Sequence, residues 1–234
     1  MNSMPPAEDP IDGDDRTARA RIRDAAIARF ADDGVAGTSV RAIAGQAGVS
    51  PALIIHHFGS KDALRTACDE HVAATIRERK QAAMAAGPGL DPVAALRCGQ
   101  EGPPLLRYLA RTLVDATPQV AALVDEMVAD AAAYMAEGVG TGVLRPTEHP
   151  YGRAAVVTVW TLGALVLHEH VHRLLGANLT GSPDQVAAAT AYFGPALEVL
   201  SDGLITEAAA ARMRAAFAAA RADPEEHEEQ EAGS

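Results

Sequence analysis

Aromatic side chains are scarce in this chain: they make up 4% of its 234 residues, whereas apolar residues as a whole make up 48%. Alanine dominates the apolar residues, so a core must form mainly from Ala, Leu and Val. Such a core suits closely packed helices better than sheets, in which alanine is depleted. No stretch of useful length alternates apolar and polar residues as a half-buried strand does. We therefore predict an all-α fold.

Cysteines and long apolar runs are also few. Two cysteines, Cys68 and Cys98, do not suffice for a disulfide framework and favour a reducing compartment. The sequence contains no run of about 20 uncharged apolar residues, so we expect no membrane span. The first residues are acidic and contain proline, without the apolar core of a signal peptide. We expect a cytoplasmic protein.

Basic residues are outnumbered, and the formal net charge is −11. The imbalance is uneven along the chain. Residues 16–80 contain eleven Lys and Arg against seven Asp and Glu, whereas residues 81–234 contain nine against nineteen. Residues 1–15 contain five acidic residues and no basic one. Residues 16–80 therefore have the positive balance that contact with nucleic-acid phosphates requires.

The same basic segment contains two short predicted helices joined by a tight turn, between Thr38 and Lys61. Gly48 suits the left-handed turn that ends the first helix. Ser50 is a capping residue, and Pro51 suits the first position of the second helix, which ends near Phe58. The first helix has one buried face with the i, i+3, i+4, i+7 spacing, formed by Val40, Ile43, Ala44 and Ala47. The pattern predicts a helix-turn-helix whose second helix enters a DNA major groove.

Residues from about Arg19 to Leu64 resemble the DNA-binding domain of the TetR family of bacterial regulators. The matching residues are Ala25, Ala26, Phe30, Gly34, Thr38, Ser39, Val40, Ile43, Ala44, Ala47, Gly48, Val49, Ser50, His57, Phe58, Lys61, Asp62 and Leu64. The resemblance implies an N-terminal three-helix head and a larger helical domain for ligand binding and dimerisation. One departure is Ile55, where members usually have an aromatic residue, most often tyrosine. The phosphate contact of that hydroxyl then falls to His56, His57 or Lys61.

We predict DNA contacts along the helix-turn-helix. Arg41 is suited to a guanine, and the small or apolar Ala52 and Leu53 to a thymine methyl group. Lys61 lies in the first turn of a helix, where its charge opposes the helix dipole but suits a phosphate. His57 has an alternative role, in packing or capping between helices. The full set of candidates is Thr38, Ser39, Arg41, Ser50, Ala52, Leu53, His56, His57 and Lys61.

The rest of the chain has helix starts in which a capping residue precedes proline, as at Asp91-Pro92, Thr117-Pro118 and Ser182-Pro183. Predicted helices lie near 17–33, 61–85, 91–99, 104–115, 118–138, 150–175, 183–202 and 206–221. The predicted organisation is a disordered tail at 1–15, the helix-turn-helix domain at 16–62, the ligand-binding and dimerisation domain at 63–221, and an acidic disordered tail at 222–234.

The predicted helix from Tyr151 to Leu175 is apolar on nearly all sides, which is typical of a helix buried from both sides. With the helix that follows, it resembles the pair that joins its twin from a second subunit in this family. A monomeric bundle core is the alternative. The effector cavity should be mostly apolar with a few polar anchors, although each candidate alone is more often a core residue. Candidates for its wall are Met84, Arg107, Tyr108, Met127, Tyr134, Trp160 and His168.

His168, Glu169 and His172 satisfy the short H-E-x-x-H zinc motif, and the two histidines share a helix face. The later glycine and third histidine of the extended motif are missing. We therefore keep a zinc-dependent hydrolase as the alternative only. Our main prediction is a homodimeric, ligand-responsive DNA-binding regulator, without enzymatic activity, metal or cofactor. Its partners would be double-stranded operator DNA and a small lipophilic effector, which releases it as a repressor.

Overall fold

The computed structural model describes residues 10–89, 102–115, 117–181 and 186–222. Within these ranges the regular structure is helical, with no strand, as predicted. The helices are α1 Pro10–Gly37, α2 Val40–Ala47, α3 Pro51–Phe58, α4 Lys61–Ala85, α5 Gly102–Thr112, α6 Pro118–Gly140, α7 Pro150–Val166, α8 His168–Leu175, α9 Val186–Ser201 and α10 Glu207–Ala222. The predicted helix at 91–99 lies outside the described residues, as do residues 1–9 and 223–234 of the predicted tails.

Helix α1 begins at Pro10, seven residues before the predicted start, so the backbone of residues 10–15 is helical rather than part of a disordered tail. The regular helix breaks at Gly34, where the backbone has φ 74°. A Cβ atom there would also lie 3.0 Å from Nε of Arg111. The positive φ is the reason for glycine at this position, because the guanidinium group ends a flexible side chain and can shift.

The helix-turn-helix has the predicted boundaries, and its ends are capped locally. The amides of Ala42 and Leu53 donate to the hydroxyl oxygens of Ser39 and Ser50, over 3.1 and 3.2 Å. Gly48, with φ 67°, ends α2 in the left-handed conformation. These local interactions determine where α2 ends and where α3 begins.

One apolar core runs through the helix-turn-helix region and into α5 and α6. Fully buried side chains of the first four helices continue into those of the later helices. Its largest members include Ile22, Phe30, Ile43, Ile54, Leu64, Val72, Tyr108 and Leu109. Burying such a side chain contributes about 1.5–3 kcal/mol. The boundary predicted after residue 62 falls in the first turn of α4, whose buried side chains belong to this shared core.

Close packing joins the end of α4 to α6. A Cβ atom on Gly138 would lie 2.6 Å from Sδ of Met84, so glycine lets the two helices approach. The hydroxyl of Thr141 donates to the carbonyl oxygen of Met84 over 2.8 Å. About two turns before Met84, Arg77 of α4 pairs with Asp130 of α6 at 3.0 Å. Helix α4 is thus attached to α6 at its middle and at its end.

The prediction of one continuous helix at 150–175 is wrong. The segment forms two helices, α7 and α8, with a bend of 76° at Leu167. The regular hydrogen-bond pattern stops at the bend, because Leu167 ends α7 and directly precedes α8. The amide of Leu167 donates to Gly163 over 2.9 Å, and the carbonyl of Leu167 accepts from Val171 over 3.0 Å. Among the described residues no single helix is long and apolar enough to cross a membrane, although this bent pair together meets that criterion.

The chain divides into two compact units, residues 1–189 and 190–234. The second unit contains most of α9 and all of α10, separated by a turn in which Gly203 has φ 80°. Helix α9 continues through Pro195. Its predicted start at 183 lies outside the described residues.

Candidate nucleic-acid interface

Helix α3 has one face in the core and one in solvent. Ile54 and Phe58, four residues apart, are buried. On the opposite side Ala52, Ile55 and His56 are exposed. Ile55, which replaces the usual aromatic residue, has 47% of its surface exposed. It was absent from the predicted contacts, although its place outside the Ile54–Phe58 stripe could have identified it.

Leu53 and His57 lie half-buried at the edges of this outer face. The ring of His57 makes edge contacts with the rings of His56 and Phe58, with centroid distances of 5.5 and 6.3 Å. These contacts agree with the packing role that the sequence left open for His57. A contact between DNA and Leu53 or His57 stays a prediction, whereas Ala52 and His56 lie on the exposed face.

Thr38 is placed inside the head, with 2% of its surface exposed. Its hydroxyl donates to the carbonyl oxygen of Gly34 at 2.7 Å, and the carbonyl oxygen of Arg29 lies 3.2 Å away. The side chain thus holds the corner at which α1 turns into α2. This placement makes Thr38 a positioning residue for Ser39 and Arg41, which follow it and are exposed.

Lys61 reaches the same corner from the first turn of α4. Its ammonium group donates to the carbonyl oxygens of Val35 and Thr38, over 2.8 and 3.1 Å. These carbonyls explain the unfavourable position of a cation at a helix start. An ammonium group has three N–H donors, so a third is left for an acceptor such as a phosphate. Lys61 therefore has a structural role that sequence reasoning missed, and its phosphate contact stays a prediction.

Ser50 begins the recognition helix and is exposed. Its oxygen accepts the amide of Leu53 as a cap. The hydroxyl hydrogen is not used in this bond, because the cap needs only an oxygen lone pair. Ser50 and Ser39, which caps α2 in the same way, can each cap a helix and donate to a second acceptor.

The predicted effector residues divide among different surroundings. Tyr108 is fully buried in the main core, and its hydroxyl donates to Asp69 of α4 over 2.5 Å. Burial raises the pKa of the Tyr108 hydroxyl, and the nearby Asp69 carboxylate raises it further. Arg107 is exposed and pairs with Asp32 of α1 at 3.7 Å. Through these contacts Tyr108 joins α5 to α4, and Arg107 joins α5 to α1.

Met127 is buried in the main core, whereas Tyr134 packs against a second cluster formed by Ala131, Met135 and Ala154. Burial raises the pKa of Tyr134, with a contribution from the charge of Asp130. Three other candidates have different positions: Met84 contacts Gly138, Trp160 is exposed on α7, and His168 begins α8. The structure therefore does not bring these candidates together around one site.

The zinc motif falls on the short, exposed helix α8. Within residues 10–89, 102–115, 117–181 and 186–222, no three His, Cys, Asp or Glu side chains are grouped so that they could hold a metal ion. His168 and His172 consequently have no third ligand in this part of the chain. Nothing in the structure supports the hydrolase alternative.

Comparison with known proteins agrees with the geometry of α1 to α4. Residues 22–68 match the domain of bacterial regulatory proteins of the tetR family, and residues 100–206 match the tetracyclin repressor-like C-terminal domain. Over 218 residues the chain is 36% identical to the HTH-type transcriptional regulatory protein RaaS of Mycobacterium tuberculosis. That similarity covers 91% of this chain and 97% of RaaS.

Solved structures share the fold. A putative TetR-family regulator from Rhodococcus sp. has a TM-score of 0.54 at 20% identity, covering 80% of this chain and 100% of that one. SmeT, the repressor of the Stenotrophomonas maltophilia multidrug efflux pump SmeDEF, has a TM-score of 0.51 at 22% identity, covering 75% of this chain and 89% of that one. With its exposed recognition helix and its match to RaaS over nearly the whole chain, this protein belongs to the TetR family of bacterial transcriptional regulators.

Proposed function

We propose that this protein is a homodimeric repressor that binds a two-fold symmetric operator through α3 and leaves it when a small lipophilic effector binds. The observation that carries the proposal is the outer face of α3. Ala52, Ile55 and His56 are exposed there, while Ile54 and Phe58 fasten the helix to the core. An exposed helix on a rigid head, within a basic segment, is what reading a major groove requires.

Exposed apolar side chains support the dimer. On α7, Val156 and Val159 have 68% and 61% of their surfaces exposed. On α9, Leu197 has 65% exposed, and Phe193 and Leu200 are exposed as well. Exposed apolar side chains on each of these helices favour an interaction site there, and an operator with two-fold symmetry calls for a second copy of this chain. The two recognition helices would then lie about 34 Å apart, one helical turn of DNA.

Release by an effector is supported by the way α4 is attached. Its first turn contacts the corner of the head through Lys61, and its last turn packs on α6 through Met84. An effector that preferred a displaced arrangement of the body helices would shift α4 and hence the separation of the two heads. We take the effector to be lipophilic because ligand sites are mostly apolar and the helices after α4 are rich in apolar side chains.

Selection of duplexes from a random library, followed by footprinting of the selected site, tests DNA recognition. We expect a palindromic site with half-sites about 10 base pairs apart, bound by a dimer in sedimentation experiments. Val159→Glu and Leu197→Glu should each yield monomers with weaker affinity for the full site, whereas Arg212→Gln on the exposed α10 should leave the dimer intact. A monomeric wild-type protein that selects no sequence would refute the proposal. Small-molecule screening for release from the selected duplex then tests the effector.

A further inference from the structure

A cleft of about 380 Å³ lies between the first half of α1, the end of α3 and the second and third turns of α4. We call it the arginine cleft. Its lining consists of Arg16, Arg19, Ala20, Arg23, Phe58, Ala67, Glu70 and His71. Three guanidinium groups thus face one carboxylate across a space that adjoins the recognition helix. The cleft lies outside the helix-turn-helix, and its arginines are on the first half of α1, where their charge opposes the helix dipole and suits a phosphate.

The three arginines have different surroundings. They stand at i, i+3 and i+7 of α1 and therefore share one helix face. Arg23 forms two hydrogen bonds with Asp24, of 2.9 and 2.7 Å, which offset its charge. Arg19 is exposed, and its Cζ atom lies 5.1 Å from the ring centroid of Phe58. Arg19 is thus positioned directly by the recognition helix.

The contact with Phe58 leaves Arg19 able to bind an anion. An aromatic ring attracts the guanidinium group as a cation, and the group has five N–H donors with which to bind an anion. The contact also restricts the side chain, which lowers the conformational entropy lost when an anion binds. A fixed guanidinium edge is the geometry that pairs with two oxygens of one phosphate.

The position of Phe58 relates this edge to DNA. Phe58 is the last residue of α3, and a helix in a major groove about 12 Å wide ends beside one of the two phosphate backbones that border the groove. We propose that the arginine cleft binds a backbone phosphate at this border, with Arg19 as the contacting residue. The inference rests on the proposed DNA binding and adds a contact from α1, outside the helix-turn-helix.

Salt dependence of DNA binding tests this contact. In Arg19→Gln, we expect weaker affinity for selected and random duplexes alike, and a slope of log K against log salt that is smaller by roughly 0.9 per head. Arg212→Gln is the matched control, because it removes the same charge from an exposed position on α10. Arg19→Lys should restore part of the slope, since it keeps the charge but loses the planar edge. A slope equal to that of the wild type in Arg19→Gln would overturn the proposal.

Glu70 provides a test of opposite sign. Its carboxylate lines the cleft and repels a phosphate there, so Glu70→Gln should raise the affinity for duplex DNA by roughly twofold at low salt. Both positions are exposed, so the substitutions should preserve the fold, which thermal unfolding verifies. An unchanged or lower affinity in folded Glu70→Gln would contradict the proposed position of the phosphate.

Inorganic phosphate is the other ligand with the chemistry that the arginine cleft would bind in a DNA backbone phosphate. Thermal unfolding of the wild type and of Arg19→Gln in inorganic phosphate, without DNA, separates the two sources. We expect equal small shifts in both proteins. A stabilisation that requires Arg19, combined with an unchanged DNA salt slope, would assign the cleft to a small anion instead. If the wild-type protein bound no duplex at all, the proposed function would fail, whereas a wild-type slope in Arg19→Gln would remove this contact alone.

Discussion

The hydroxyl of Tyr108 on α5 donates a hydrogen bond of 2.5 Å to Oδ1 of Asp69, in the third turn of α4. The other carboxylate oxygen accepts from Nε2 of Gln119 on α6, over 3.1 Å. One buried carboxylate therefore joins three helices. It holds α4, whose first turn supports the recognition head, to two helices of the body. A change in α5 or α6 that moved either donor would act directly on α4.

Tyr108→Phe should destabilise the protein by about 1–3 kcal/mol, because it leaves one oxygen of the buried Asp69 without its donor. The aromatic packing is retained, since the ring of Tyr108 lies 6.2 Å from that of Phe30 and phenylalanine keeps this contact. Denaturant unfolding measures the loss. Tyr151→Phe is the matched control, because Tyr151 is exposed on α7 and its hydroxyl should contribute little. Equal stability of the two variants would show that the Tyr108–Asp69 bond contributes nothing.

The same carboxylate should give the protein a measurable pH dependence. Burial raises the pKa of Asp69 above its ordinary value of 3.8, although Tyr108, Arg65 and Gln119 oppose the shift. Because the folded state then holds its proton to higher pH than the unfolded state, the contribution of Asp69 to stability is greatest below pH 3.8 and is lost as the pH rises through the folded pKa. Asp69→Asn removes this titration.

Unfolding free energies of the wild type and of Asp69→Asn, measured side by side, isolate the effect from all other carboxyl groups. We expect the stability of the wild type relative to Asp69→Asn to fall as the pH rises above 3.8, and then to level off. A relative stability that increases over this interval would mean that the hydrogen bonds and Arg65 outweigh burial.

Lys61 has two proposed roles that can be tested separately. It stabilises the corner between α1 and α2, and it is a predicted phosphate contact. Lys61→Met keeps the side-chain stem but loses the bonds to the carbonyls of Val35 and Thr38, so stability should fall by about 1–3 kcal/mol. Affinity for DNA should fall as well, and the salt slope should decrease by roughly 0.9 per head if the third N–H contacts a phosphate.

Thr38→Val is the control for this prediction. It removes the hydroxyl that donates to Gly34 and so loosens the same corner, but it changes no charge. We expect a similar loss of stability with an unchanged salt slope. If Lys61→Met also keeps the wild-type slope, the role of Lys61 is confined to the corner.

How far the sequence predicts this molecule depends on the distance between interacting residues. The bounds of α2 and α3 follow from Ser39, Gly48, Ser50 and Pro51, because caps and left-handed turns act within four residues. Tyr108 and Asp69 are 39 residues apart, and no local pattern indicates that they meet. From the sequence, Tyr108 is a candidate for the effector cavity, because a tyrosine on an apolar helix gives the same pattern in a core as in the wall of a cavity.

For the candidate DNA-binding residues, too, the sequence predicts what local structure determines and misses what packing determines. Exposure of Ala52 and His56 follows from the period of α3, whereas the burial of Thr38 depends on how α1 and α2 meet. The bend at Leu167 had no indication in the sequence either, because residues 164–170 include neither glycine nor proline. Long-range packing decided each of these features.

Gly138 tests the packing that attaches the end of α4 to α6. In Gly138→Ala, the new Cβ atom would lie 2.6 Å from Sδ of Met84 and 3.1 Å from Leu144, so side chains must shift. We expect a loss of about 1–3 kcal/mol, as for other overpacked cores. Gly140→Ala is the control on the same helix, where nothing lies within 4 Å and helix propensity favours alanine by up to about 1 kcal/mol.

Met84→Ala in the Gly138→Ala background identifies the cause of the loss. Removing the thioether opens the space that the added methyl group needs, so part of the lost stability should return in the double variant. A double-mutant cycle from denaturant unfolding measures this coupling, which should be about 0.5–3 kcal/mol for side chains in contact. Additive effects of the two substitutions would mean that α4 and α6 separate freely at this point. In that case Met84 could not transmit a movement of α6 to the recognition head.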